Sequence, residues 1–165
     1  MFGPIKHLIF DFDGTLVDSM SSVLAGLGTC VADALGRQVS DEELLASFGP
    51  APLDVLRVWL PEEKVEPAYK QWIEFEASRQ PSDFSPFPGI EKMLGDLKSA
   101  GYSIGIFTGR DREGTLRIAG HHGWLGKYFK ETEMVCGDDG PRPKPHPDAL
   151  LQLLNRNAWV AEHSL

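Results

Sequence analysis

Residues 5–10 form a short apolar, partly β-branched run that stops at Asp11-Phe12-Asp13-Gly14. A run of this kind ending in a tight polar turn predicts a buried strand leading into a loop. The next segment is helical. From 18 to 35, Val23, Leu24, Leu27, Val31 and Leu35 return near helical spacing; Gly26 and Gly28 weaken the helix and Gly36 ends it. Ser40-Asp41-Glu42-Glu43 predicts a capping box, opening a helix through Leu44, Leu45 and Phe48 that Gly49-Pro50 breaks. Two more helices are expected over 53–60 and 62–78, the second disturbed in its first turns by Pro67.

The stretch 80–88 holds three prolines with Ser and Asp and reads as a linker. Beyond it the pattern alternates: helix 89–100, strand 103–107, helix 111–122, strand 134–136, a proline-rich loop to 147 and a last helix over 148–155. Alternation at both ends with a helical block between predicts an α/β protein. Its Rossmann-like parallel sheet core (1–17 and 87–165) is interrupted by a helical insert (18–86).

The net charge is -8 over 165 residues. This argues against broad nucleic-acid binding, which needs a basic surface, but leaves room for a small anionic substrate beside a local cation. Cys30 and Cys136 stand far apart in no metal-like spacing and are expected to be buried thiols rather than a disulfide. There is no signal-peptide pattern and no stretch long enough to span a bilayer, so the expected location is the cytoplasm.

Three segments carry chemistry. Asp11 and Asp13 lie two apart at a strand end, so their side chains start on the same side and repel. A divalent cation resolves that conflict, and hard oxygen ligands suit magnesium. The plainer alternative makes Asp13-Gly14 a turn and Asp11 a cap. Thr108-Gly109-Arg110 follows the second strand, where a hydroxyl and backbone amides suit an anion; the alternative is an N-cap. Arg110 either contacts substrate or covers surface. In Pro143-Lys144-Pro145-His146-Pro147-Asp148, proline stiffens a loop that aims Lys144, and His146 is expected to be structural.

The string Asp11-Phe12-Asp13-Gly14-Thr15-Leu16-Val17-Asp18-Ser19 resembles the first motif of the haloacid dehalogenase superfamily. Thr108 and Lys144-Pro145 with Pro147-Asp148 resemble its second and third. The resemblance covers nearly the whole chain. It implies a small-molecule phosphatase in which Asp11 attacks phosphorus and forms an aspartyl-phosphate. Asp13 would serve as general acid and then base, Thr108 with Gly109 and Arg110 would bind phosphate, and Lys144 would neutralise charge. The Asp11 side chain and the Asp13 backbone carbonyl would hold Mg2+. The insert is similar to the helical cap of the phosphoglycolate phosphatase and β-phosphoglucomutase branch. Phe48-Gly49-Pro50 is then a candidate substrate-facing loop or a simple helix–helix turn. Trp59, Tyr69, Trp72 and Phe75 are expected in the cap core, with Lys64 and Lys70 solvated.

The family's fourth motif, a strand ending in Gly-Asp-x-x-x-Asp, has no counterpart before Leu165. Gly137-Asp138-Asp139 precedes Lys144 and reads as the loop after the third strand; Glu162 is the one acid in the tail. The expected consequences are weaker metal binding, lower turnover and an exposed first strand open to self-association. Three functions follow: a phosphatase acting on a small phosphorylated metabolite, a catalytically impaired relative that binds phosphate or a protein partner, and a phosphosugar mutase.

Overall fold

The computed structural model describes residues 4–47, 51–140, 142, 144 and 146–165. The expectations for Phe48-Gly49-Pro50 and for Pro143 and Pro145 fall outside them. Strands β1 (His7–Phe10), β2 (Ser103–Phe107) and β3 (Met134–Val135) form a parallel sheet in the order β1-β2-β3. Leu8 lies opposite Ile104, and Ile106 is flanked by Phe10 and Met134.

Side-chain alternation gives this sheet two covered faces. Ile104, Ile106 and Met134 pack with Leu94 of helix α5 (Ile90–Ser99) and Ile118 of helix α6 (Arg112–His121). Ile9, Phe107 and Val135 face the other way, against Ala149 and Leu153 of helix α7 (Asp148–Arg156) and Trp159. Near-continuous apolar strands are what a parallel sheet buried on both faces requires. Gly105 in the middle of β2 makes room for the indole: a Cβ there would lie 3.0 Å from the Trp159 ring and 2.8 Å from the Glu133 carbonyl oxygen.

Helices α1 (Met20–Leu35), α2 (Asp41–Leu45), α3 (Pro52–Trp59) and α4 (Glu62–Ser78) bury a second cluster that includes Leu27, Val31, Leu44, Leu56 and Trp72. The capping box forms: Glu43 N–H donates to Ser40 Oγ at 3.2 Å and Ser40 N–H to Glu43 Oε2 at 2.8 Å. Gly26, read from sequence as a weak point, is a close-packing position, because a Cβ there would lie 2.5 Å from the Phe75 ring. Helix α4 runs unbroken through Pro67, its buried Val65, Ala68 and Trp72 offsetting the lost amide hydrogen bond. Lys64 is exposed, as expected, and donates to the Ala34 carbonyl at 2.6 Å, tying α4 to the end of α1.

The chain crosses between the two clusters side by side. Val17 bridges Pro86, and Asp18 N–H donates to the Ser85 carbonyl at 2.8 Å. Arg117 of α6 adds a tie, donating to the Glu76 carbonyl at 3.1 Å near the C-terminal end of α4, where a cation complements the helix dipole.

One expectation is corrected. The first strand is not an exposed edge along its length, because the C-terminal segment lies parallel to it. Lys6 N–H donates to His163 O at 2.8 Å, Leu165 N–H to His7 O at 2.9 Å, and Ile9 N–H to Leu165 O at 2.7 Å. Ala158, at a φ of 54°, turns the chain after α7, and Trp159 stacks on His7 with ring centroids 5.0 Å apart. The backbone groups that pair there, the N–H of Lys6 and Ile9 and the carbonyl of His7, are thus satisfied within the chain.

Candidate active site

The C-terminal ends of β1 and β2 and the loops after β3 deliver their side chains to one place, as parallel α/β sheets do. A cavity of about 450 Å³ lies there beneath α1, α3 and α4, and Asp11, Asp13, Thr108, Gly109, Arg110 and Lys144 all line it. The residues expected from the sequence are thus brought together.

Each is held by local structure. Phe12, between the two acids, is fully buried with its ring edge-on to Trp124, which anchors the loop. Gly14 takes the turn at a φ of 69°, a conformation glycine adopts without a steric penalty. Asp11 accepts from the Phe12 N–H at 2.8 Å, and its side chain is 48% exposed to the cavity and solvent. Lys144 Nζ stands 3.1 Å from Asp11 Oδ1 and 4.5 Å from the centroid of the Phe107 ring, whose face attracts the ammonium. Thr108 is buried: its N–H donates to the Val135 carbonyl at 3.0 Å, and its Oγ1 accepts from Arg110 N–H at 3.1 Å. Gly137 packs so tightly on this turn that a Cβ would lie 2.2 Å from the Gly109 carbonyl oxygen. Its N–H donates to the Arg110 carbonyl at 2.8 Å.

Arg110 does not cover surface: its side chain is 4% exposed, lies over Phe84 and lines the cavity. Nε donates to both Asp13 carboxylate oxygens, at 3.0 and 3.1 Å, and Nη2 to Asp13 Oδ1 at 2.9 Å. Nη1 pairs with Glu76 of α4. Burial opposes the Arg110 charge, but Asp13 and Glu76 outweigh it and hold the guanidinium above its ordinary range. Burial pushes the Glu76 carboxyl up, a shift Arg110 only partly offsets, and its second oxygen is buried without a partner among the described residues.

Glu76 was missed from the sequence. The available signal was its place four residues after Trp72, on the face that α4 buries. Asp138 was read as loop; it also lines the cavity, its carboxylate accepting from the Arg112 N–H at 2.8 Å. Asp139 beside it pairs with Arg112 and accepts from the Cys136 N–H at 2.8 Å. Trp72 and Tyr69 belong to the helical cluster as expected and also wall the cavity. Glu162 is not a ligand: its neighbour His163 pairs with Lys6, ahead of β1, so Glu162 lies at the opposite end of the strand from Asp11. Among the described residues, no group of three or more His, Cys, Asp or Glu is clustered to hold a metal ion, and no helix is long and apolar enough to cross a membrane.

Known proteins share this architecture. A haloacid dehalogenase-like family hydrolase from Streptococcus pneumoniae superposes with a TM-score of 0.77 at 22% identity, covering 97% of this chain and 73% of that one. At this identity the likeness is one of fold. A phosphoglycolate phosphatase of Agrobacterium fabrum is 27% identical over 98% of the chain and 72% of its own length. A Bacillus cereus pyrophosphatase, PpaX, is 30% identical over 92% and 69%. Residues 8–165, which include every side chain lining the cavity, match the haloacid dehalogenase-like hydrolases, and the protein belongs to that family.

Proposed function

We propose that the protein is a phosphatase that hydrolyses a small-molecule phosphate monoester through an aspartyl-phosphate at Asp11. The observation that carries the reading is the meeting of Asp11, Asp13, Thr108 and Lys144 in one cavity, with Lys144 3.1 Å from Asp11. The phosphatase relatives support it. We assign helices α1–α4 as a cap over the α/β core and the cytoplasm as the location.

Asp11 Oδ attacks phosphorus and the ester oxygen leaves with the bonding pair. Lys144 neutralises charge on Asp11 and on the phosphoryl oxygens, and the Thr108 turn holds the phosphate by its hydroxyl and amides. Asp13 donates the proton that the leaving oxygen takes up, then accepts one from the water that cleaves the aspartyl-phosphate. Both steps need an Asp13 oxygen released from Arg110, so the pairing described above belongs to the resting site. The Asp11 carboxylate and the Asp13 backbone carbonyl, which accepts no hydrogen bond from the described residues, are hard oxygen donors that fit Mg2+. When bound, the ion supplies Lewis-acid stabilisation of the phosphoryl oxygens.

The test is phosphate release from a panel of monoesters with magnesium, by the wild type and by Asp11→Asn. Release by the wild type alone is expected. Equal release by both would overturn the reading and favour the impaired relative that binds without turning over.

A further inference from the structure

The cavity above the reacting groups has its own chemistry. Its cap side is an apolar wall of Val23, Leu27, Leu53, Val55 and Trp72. Tyr69 adds a hydroxyl whose pKa is raised by burial and then by Asp111 and Asp138, so it faces the site as a neutral group.

The charges are the second observation. Among the described residues the cavity is lined by three cations, and each is matched to an acid. Lys144 pairs with Asp11, Arg110 with Asp13 and Glu76, and Arg57 with Asp54 at 2.9 Å. Two more acids, Asp111 and Asp138, complete the lining. The residues outside the described set carry no charged side chain. A phosphoryl group at Asp11 would be met by Lys144 and the Thr108 turn. A second anionic group, on the leaving side, would meet Arg57 only in competition with Asp54 and among a surplus of carboxylates.

We infer that the substrate is a phosphate monoester whose leaving group is uncharged and carries an apolar body, rather than a compound with a second anionic group such as pyrophosphate or phosphoglycolate. The inference rests on the phosphatase reading and deepens it. The apolar body lies against Trp72 and its neighbours, and a neutral polar atom on it reaches Tyr69. The same inventory disfavours the mutase, which must hold a second phosphate.

The experiment compares benzyl phosphate with 4-carboxybenzyl phosphate and phosphoglycolate, all primary alkyl esters, together with pyrophosphate. Free phosphate is measured with magnesium present. Benzyl phosphate is expected to lead in kcat/KM by roughly tenfold or more. Asp54→Asn, which leaves Arg57 unmatched, is expected to shift the ratio severalfold toward the carboxylated esters. A lead by phosphoglycolate would overturn the inference while leaving the phosphatase reading intact; a lead by pyrophosphate, an anhydride, would overturn both. If no compound is turned over, that reading fails. The inference, which rests on it, then fails with it.

Discussion

Arg110 holds Asp13 by three hydrogen bonds of 2.9–3.1 Å while its remaining nitrogen pairs with Glu76 on helix α4. One guanidinium thus joins the proposed general acid to the helical cluster. Removing it strands two carboxylates in a site where the arginine side chain is 4% exposed. Breaking such a buried network costs about 3–5 kcal/mol. Arg110→Ala should lower the melting temperature by roughly 10 °C at this chain length. Glu76→Gln keeps a hydrogen-bonding group and removes a costly charge, so its loss should be less than half as large. Thermal melts of the two variants decide the order.

Lys144 stands 3.1 Å from Asp11 and 4.5 Å from the centroid of the Phe107 ring. If it neutralises the phosphoryl oxygens, Lys144→Ala should lower kcat by roughly 10²–10³, as removing one preorganised donor does. It should lower the melting temperature far less than Arg110→Ala, since the ion pair it breaks is with a half-exposed carboxylate. Kinetics and a melt on one preparation separate the two effects.

Gly26→Ala sets two effects against each other. Helix propensity favours alanine by about 1 kcal/mol. The added methyl would meet the Phe75 ring at 2.5 Å and the Trp72 ring at 2.7 Å, and overpacking of this kind costs about 1–3 kcal/mol. Trp72 is buried and has little room to shift, so a net loss of stability by chemical denaturation is expected.

Asp139 has a pH signature. Burial works to raise its pKa, but the Arg112 guanidinium and the Cys136 N–H outweigh that and hold it below the usual carboxylate range. A depressed carboxyl stabilises the fold above its unfolded pKa, and that contribution is lost as pH falls through the folded value. The stability gap between wild type and Asp139→Asn should therefore be full at neutral pH and close below about pH 4. Urea titrations across that window test it; a gap independent of pH would refute it.

Both thiols are buried and unpaired, with pKa values that burial pushes up to about 11 at Cys30 and about 12 at Cys136. Thiolate is the reactive form. The native protein should show no fast reaction with a disulfide reagent at pH 8, and both cysteines should react once it is unfolded.

What could be read from the chain alone were features with short-range causes. The apolar run before Asp11, the strand before Thr108 and the proline-flanked Lys144 each announce an element and its end through periodicity and turn chemistry. A parallel sheet then brings such ends together, so four chemical residues were legible without coordinates. The capping box at Ser40 and Glu43 was legible for the same reason, since its partners are three residues apart. The tertiary structure decided the rest. Arg110 meets Asp13 across 97 residues and Glu76 across 34, a pairing no local pattern encodes. Residues 163–165 lie along β1 beside the place where Trp159 docks on His7 and next to Gly105. Periodicity reports which face of an element is buried; which charges that burial forces together depends on where the elements pack.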